Sequence, residues 1–263
     1  AVKPDADALL QSASEKLRNK NYHGALEDLN LAVGADPQSA KARLSRGWVK
    51  SALKDPMGAL EDYTKAIELE PRNAQTFSLR AWLKAAQGDP QGAEADFTRS
   101  ITLNPADAET YKNRGLLRKK QRDFQGAIED FTKLLELRPK DAFPLLERGT
   151  LKGLAGDAAG ETGDYASAIG LDTPASKAYF VKRANESMSN NAPAALADAN
   201  RILQIDPRDT QGLFVRGSAN RILKNWTAAI EDFRQAGDLD PKIKPLCLIS
   251  IKRCEAAQQA EQK

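Results

Sequence analysis

The chain has 263 residues, of which 41% are apolar, 29% charged and only 6% aromatic, so few large rings are present to fill one compact core. Lys and Arg number 39 against 36 Asp and Glu, and the resulting +3 falls short of the basic excess of a dedicated nucleic-acid binder. One histidine and two cysteines exclude most His- or Cys-centred catalytic and metal sites. Cys247 and Cys254 fall in what reads as one helix, with Cα atoms ~10.5 Å apart. That is too far for a disulfide while the helix is intact. No apolar stretch is long enough to span a membrane, and no signal peptide is visible. The chain begins at Ala1 rather than Met, which leaves room for a removed upstream segment. The default expectation is a soluble cytoplasmic chain, with an exported mature form as the alternative.

Pro37, Pro71, Pro105, Pro139, Pro174, Pro207 and Pro241 are spaced by 34, 34, 34, 35, 33 and 34 residues. Aspartate recurs with an unbroken 34-residue period at Asp28, Asp62, Asp96, Asp130, Asp164, Asp198 and Asp232. Such a pattern is a tandem repeat, and each unit reads as two amphipathic helices. Unit boundaries fall at about 6–39, 40–73, 74–107, 108–141, 142–175, 176–209 and 210–243, followed by a closing helix at about 244–260.

In the first unit Gly24-Ala25 follows His23, the only histidine, at the turn between helices. In the second, a helix from about Ala40 to Leu53 is broken by Asp55-Pro56. The next runs from about Met57 to Leu69, with Asp55 as its N-cap. Pro71 stops it. The capping slot recurs as Asn21, Asp89, Asp123, Asp157 and Asn225, so every unit is expected to read helix, turn, helix, stop. The fifth unit departs by packing Gly149, Gly153, Gly156, Gly160, Gly163 and Gly170 together, with Glu161 where other units place alanine. Glycine weakens a helix interior, so this unit reads as a weak point or bend. The closing helix combines Leu248, Ile249, Ile251 and Cys254 with a polar end from Gln258.

Small residues recur on the first helices at Ala13, Gly47, Ala81, Gly115, Gly149, Ala184 and Gly217. On the second helices Ala59, Ala93, Ala127 and Ala229 are each followed four residues on by Tyr63, Phe97, Phe131 and Phe233. Small against small permits close approach, and the ring fills the next gap. Those residues, with Pro71, Pro105, Pro139 and Pro241 eight further on, resemble the tetratricopeptide repeat family. The resemblance covers about residues 6–241. It implies an all-α, right-handed superhelical solenoid of antiparallel helix pairs, one domain over 1–263, with a concave face lined by the first helices and a capping helix at the end.

Where the family usually has a leucine and a tyrosine on the first helix, this chain has Arg46 and Lys50, Arg80 and Lys84, Arg114 and Arg118, Arg148 and Lys152. Two readings stand: an internal charge ladder with the aspartates, clipping repeat to repeat, or a basic stripe for an acidic ligand. The lysine, asparagine and arginine clamp with which some family members hold chaperone tails is not reproduced. Asn113 matches one position, but Leu10, Ser14, Phe143 and Glu147 occupy others.

Catalysis finds little support. His23 sits at a solvated turn, Gly160-Glu161-Thr162-Gly163 lacks the lysine and strand of a phosphate loop, and no cofactor or metal motif is present. The resemblance instead implies a non-enzymatic scaffold binding a protein or peptide in the concave groove. The candidate groove residues are Leu44, Trp48, Leu79, Trp82, Lys112, Asn113, Leu116, Lys119 and Lys120, with Leu10, Phe143, Leu146, Lys182, Asn185, Phe214 and Arg221 on the flanking units. The alternative role for Trp48 and Trp82 is packing between neighbouring first helices. RNA is the rival partner, because Arg114 to Arg122 holds five basic residues in nine, but no aromatic recurs as a one-base-per-repeat array requires. A self-associating structural module is the third reading. Membrane insertion is not expected, and the oligomeric state does not follow from the sequence.

Overall fold

The computed structural model describes residues 5–261, and these form fifteen α-helices and no strand. In chain order they are α1 (Ala6–Arg18), α2 (Tyr22–Ala35), α3 (Ala40–Ala52), α4 (Pro56–Leu69), α5 (Ala74–Ala86), α6 (Pro90–Leu103), α7 (Ala108–Lys120) and α8 (Phe124–Leu137). There follow α9 (Ala142–Leu154), α10 (Ala158–Leu171), α11 (Thr173–Ser187), α12 (Ala192–Ile205), α13 (Thr210–Ile222), α14 (Trp226–Leu239) and α15 (Lys244–Glu261). Within each of two compact units the helices pack in adjacent pairs and successive pairs touch, which is the all-α repeat architecture of a solenoid. The chain divides into two compact units, one up to Pro139 with Leu154–Gly156, the other Lys140–Gly153 with the residues from Asp157.

Helix ends follow from local chemistry. Asn21, Asp55, Asp89, Asp123, Asp157 and Asn191 each accept the N–H three residues on, capping α2, α4, α6, α8, α10 and α12. Asn225 does not; its amide donates to Asn220 Oδ1 instead. Ser39, Asn73 and Asp209 cap first helices in the same way, and Asp107 accepts the N–H two residues on. In six of the seven pairs the tight turn places one residue in the left-handed region, at Lys20, Lys54, Gly88, Arg122, Gly156 and Lys224; the turn between α11 and α12 has none. The turn length, rather than the residue type, imposes this conformation, since four of the six carry a Cβ.

Pairs close around the small residues. A Cβ on Gly47 would stand 2.8 Å from the Tyr63 ring, so the two helices meet at a distance only glycine permits. Ala59, Ala93, Ala127, Ala195 and Ala229 are fully buried on the facing helices, and Tyr63, Phe97, Phe131, Tyr165 and Phe233 are the large buried rings beside them.

One expectation is corrected. Pro174 does not terminate a helix in a loop: α10 already ends at Leu171, and Pro174 lies in the first turn of α11. Asp172 both ends α10 and caps α11 through Ala175 N–H, so the connection shrinks to one residue and α11 lengthens to 15 residues. Pro174 thus sits at a helix start whereas Pro139 and Pro207 follow helix ends, and the spacings on either side of it are 35 and 33. On α15, Leu246, Leu248 and Ile249 are exposed, while Cys247 and Cys254 are its buried contacts with α14 and its neighbours. Both thiols are free, and burial raises their pKa.

Phe97→Ala removes a ring that is 1% exposed. It should cost about 3–5 kcal/mol in urea unfolding followed by helical circular dichroism. A loss below about 1 kcal/mol would mean that the ring does not hold its helix pair together.

Candidate functional site

The periodic aspartates are buried on the second helices, and a bare carboxylate there would be costly. In the second pair Arg46 donates to both oxygens of Asp62 at 2.8 and 2.6 Å, and Lys50 lies 2.8 Å away. Arg80 and Lys84 hold Asp96 in the same manner, Arg114 and Arg118 hold Asp130, and Arg148 and Lys152 hold Asp164. Arg216 and Asn220 serve Asp232, and Ser12 and Lys16 serve Asp28. The contact is chiefly within a pair, not between repeats as the ladder reading has it. The spare guanidinium nitrogen makes the inter-repeat link: Arg46 to Asn30, Arg80 to Thr64, Arg114 to Thr98. Glu94 adds another by accepting from Arg118 at 2.8 Å. The basic stripe is thus turned inward and is not a surface for an acidic ligand.

With those cations engaged, one slot on α3, α5 and α7 of the first compact unit is both apolar and exposed. Trp48 on α3, Trp82 on α5 and Leu116 on α7 occupy one slot at 34-residue intervals and are 42%, 54% and 37% exposed. Helices α3 and α5 touch, as do α5 and α7, so the three side chains form consecutive rungs of one row. The Trp48 ring also meets Tyr22, with centroids 6.0 Å apart, which anchors it without covering it. Leu44 and Leu79 are half-buried against the Ala59–Tyr63–Leu83 cluster and edge the row from below. Lys112, Asn113 and Lys119 are half-buried, and Lys120 is exposed at the end of α7. Lys112 also pairs with Glu109 at 3.5 Å, while Arg138 holds Glu109 by a 2.6 Å hydrogen bond that keeps its carboxyl below the usual range.

The flanking candidates fare differently. Leu10 and Leu146 are buried in the core and offer no surface, whereas Phe214 is half-buried and packs against Phe233 with centroids 5.3 Å apart. Lys182, Asn185 and Arg221 are exposed in the second compact unit. Among the described residues no group of three or more His, Cys, Asp or Glu is placed to hold a metal ion, and no helix is long and apolar enough to cross a membrane.

Family profiles described as tetratricopeptide repeat match residues 46–108 and 108–141. The chain is a tetratricopeptide repeat protein. Solved structures of the same architecture include a tetratricopeptide repeat protein from Parabacteroides merdae, 20% identical, with TM-score 0.65 over 95% of this chain and 98% of that one. MamA from Desulfovibrio magneticus is 17% identical, with TM-score 0.60 over 65% and 98% of the two chains. YrrB, described as a TPR protein with an unusual peptide-binding site, is 19% identical, with TM-score 0.58 over 65% and 88%. These likenesses establish the fold. No curated protein matches the sequence.

Within the tetratricopeptide framework, the glycine-rich fifth repeat is a compensated substitution. Glu161 replaces the usual alanine, and Gly153 makes the room, since a Cβ there would stand 2.7 Å from the Glu161 carboxylate. Glu161 accepts from Arg201 of the following repeat at 2.9 Å, and Arg201 also holds Asp198 at 2.8 Å. Arg183 completes the cluster by donating to Asp198, Tyr165 and Thr150, with its guanidinium 5.5 Å from the Tyr179 ring centroid. The glycines at positions 160, 163 and 170 do not interrupt α10. Sequence reasoning noted Glu161 but missed its partner, because Arg201 lies 40 residues away.

Burial opposes ionisation of Asp164, yet hydrogen bonds from Arg148 and Lys152 outweigh it and hold the carboxyl below its ordinary value. At Asp28 burial is likewise outweighed, by Lys16 and Ser12. A carboxyl with a depressed folded pKa stabilises the fold above its unfolded pKa and loses that contribution as pH falls through the folded one. Thermal unfolding should therefore be nearly independent of pH from 7 to about 5 and weaken below about pH 4. Asp164→Asn should flatten part of that acid limb, and an unchanged limb would remove Asp164 from its causes.

Proposed function

We propose that this protein is a non-catalytic interaction scaffold that binds a peptide segment of a partner protein along the row Trp48–Trp82–Leu116. The observation that carries this reading is the row itself: two indoles and a leucine left exposed in register on three touching helices. More than a third of each remains accessible. Exposed aromatics in register are the kind of anchor on which binding energy concentrates. The repeat architecture supports the reading, since stacked helix pairs present extended surfaces. The fold shared with YrrB, described as having a peptide-binding site, points the same way.

Lys112, Asn113, Lys119 and Lys120 edge the α7 end of the row, so the partner segment combines apolar anchors with acidic residues toward that end. RNA is the weaker reading. Two of the five basic residues between Arg114 and Arg122, namely Arg114 and Arg118, are committed to Asp130 and unavailable to phosphate.

Trp48→Ala/Trp82→Ala tests the site by affinity capture against the wild type. The double variant should keep its helical circular dichroism and lose its captured partners. A folded double variant that retains every partner would move the binding surface elsewhere.

A further inference from the structure

We propose that the segment seated on this row is a polyproline-II helix, a proline-rich stretch of the partner, with acidic residues at the end lying over α7. The inference rests on the reading of the row as a peptide site and names the conformation and chemistry of what fills it.

The first argument is pitch. Packed helix axes lie about 8–10 Å apart, so the rungs formed by Trp48, Trp82 and Leu116 repeat at about that distance. A polyproline-II helix turns once in three residues and about 9 Å, which presents every third side chain to successive rungs on one face. A β-strand returns to the same face every two residues, about 6.6 Å, and falls out of step with the row by the second rung. An α-helix can match with side chains seven apart, at about 10.5 Å, so pitch alone leaves two conformations.

Hydrogen-bonding capacity separates them. Among the described residues neither the Trp48 nor the Trp82 indole N–H has an acceptor, whereas Trp226 donates its own to Glu261 at 2.7 Å. The Asn113 amide beside the row likewise makes no side-chain hydrogen bond within the described protein. These are donors aligned with an apolar row, and they call for a ligand whose backbone carbonyls are free. An α-helical ligand has engaged its carbonyls internally, except at its C-terminus. A polyproline-II ligand has engaged none of them. Flat indoles also match proline rings, and the preformed helix loses little conformational entropy on docking.

The third argument is charge. Lys120 and Arg122, at the α7 end of the row, are exposed and make no ion pair among the described residues. The indole end carries fewer: Arg46, Lys50, Arg80 and Lys84 are all committed to buried aspartates, and Lys54 is the exposed cation in the turns that follow α3 and α5. Acidic residues on the ligand are therefore attracted more strongly to the α7 end, which sets its placement along the row.

The test is calorimetric titration of the full chain with three synthetic peptides of equal length. One is proline-rich with two glutamates at one end, one is helix-forming with leucines seven apart and the same glutamates, and one is a Gly/Ser control with those glutamates. The proline-rich peptide should bind saturably and the other two at least about tenfold more weakly. Trp82→Ala should weaken that binding about tenfold or more, the range of an anchor residue. Trp82→Phe, which keeps a ring but loses the N–H, should fall between. Circular dichroism checks that both variants remain folded. A proline-rich peptide no better than the Gly/Ser control overturns the proposal. If the helical peptide then binds and Trp82→Ala weakens it, the peptide-site reading survives and only the polyproline assignment fails. If no peptide binds, both fail.

Discussion

The structure turns on one recurring constraint, a carboxylate buried between paired helices. An aspartate at that depth is tolerable only when hydrogen-bonded and charge-compensated, so each second helix dictates what its partner helix must carry. Sixteen residues upstream an arginine meets the demand in five of the seven repeats, as between Arg80 and Asp96. The sixth repeat uses Arg183 at fifteen, shifted with its lengthened helix, and the first uses Ser12 with Lys16. A buried ion pair need not add net stability over an apolar pair of similar shape. What it does impose is register, because a helix slipped by one residue would leave the carboxylate without its fork of donors. The same guanidinium then reaches the preceding repeat through Asn30, Thr64 or Thr98, so one side chain sets both the pair and the stack.

That constraint explains the charge balance and shapes the surface. Many of the cations and anions that almost cancel in the composition cancel in space, inside the helix pairs. Positions 46, 80 and 114 face inward, so the neighbouring slot at 48, 82 and 116 faces outward and is free to carry side chains that no fold requirement explains. In the first compact unit that slot holds Ser14, Trp48, Trp82 and Leu116; in the second it holds Thr150, Asn185 and Ser218, and Thr150 is consumed by hydrogen bonds to Tyr165 and Tyr179. The binding character of the row is therefore local, not a property of every repeat.

Much of the fold was legible because the same local problem is posed again and again. Asp55 before Pro56 and Pro71 after Glu70 bound α4 to within a residue of expectation, since a cap and a missing donor act without reference to tertiary context. The sixth repeat was not legible. Asp172-Thr173-Pro174 can follow one helix or begin the next, and the choice is made by how α11 packs on its neighbours. Leu10 and Leu146 were misplaced on the surface for a related reason. First helices are buried on more than one side, and amphipathic spacing alone does not separate a groove position from an inter-repeat contact. The stripe of arginines and lysines was legible as charge but not as direction; only the geometry shows it closing inward on the aspartates.

The most direct test of this account is a double-mutant cycle on one pair, Arg80→Met, Asp96→Asn and the two together, read by urea unfolding. Each single variant strands a polar partner in a buried site and should cost about 3 kcal/mol or more for Asp96→Asn. The double variant should cost less than the sum, with a coupling of about 1–3 kcal/mol. Single costs that add to within about 0.5 kcal/mol would show the two side chains to be independent, and would contradict the claim that the buried carboxylate sets the register of its repeat.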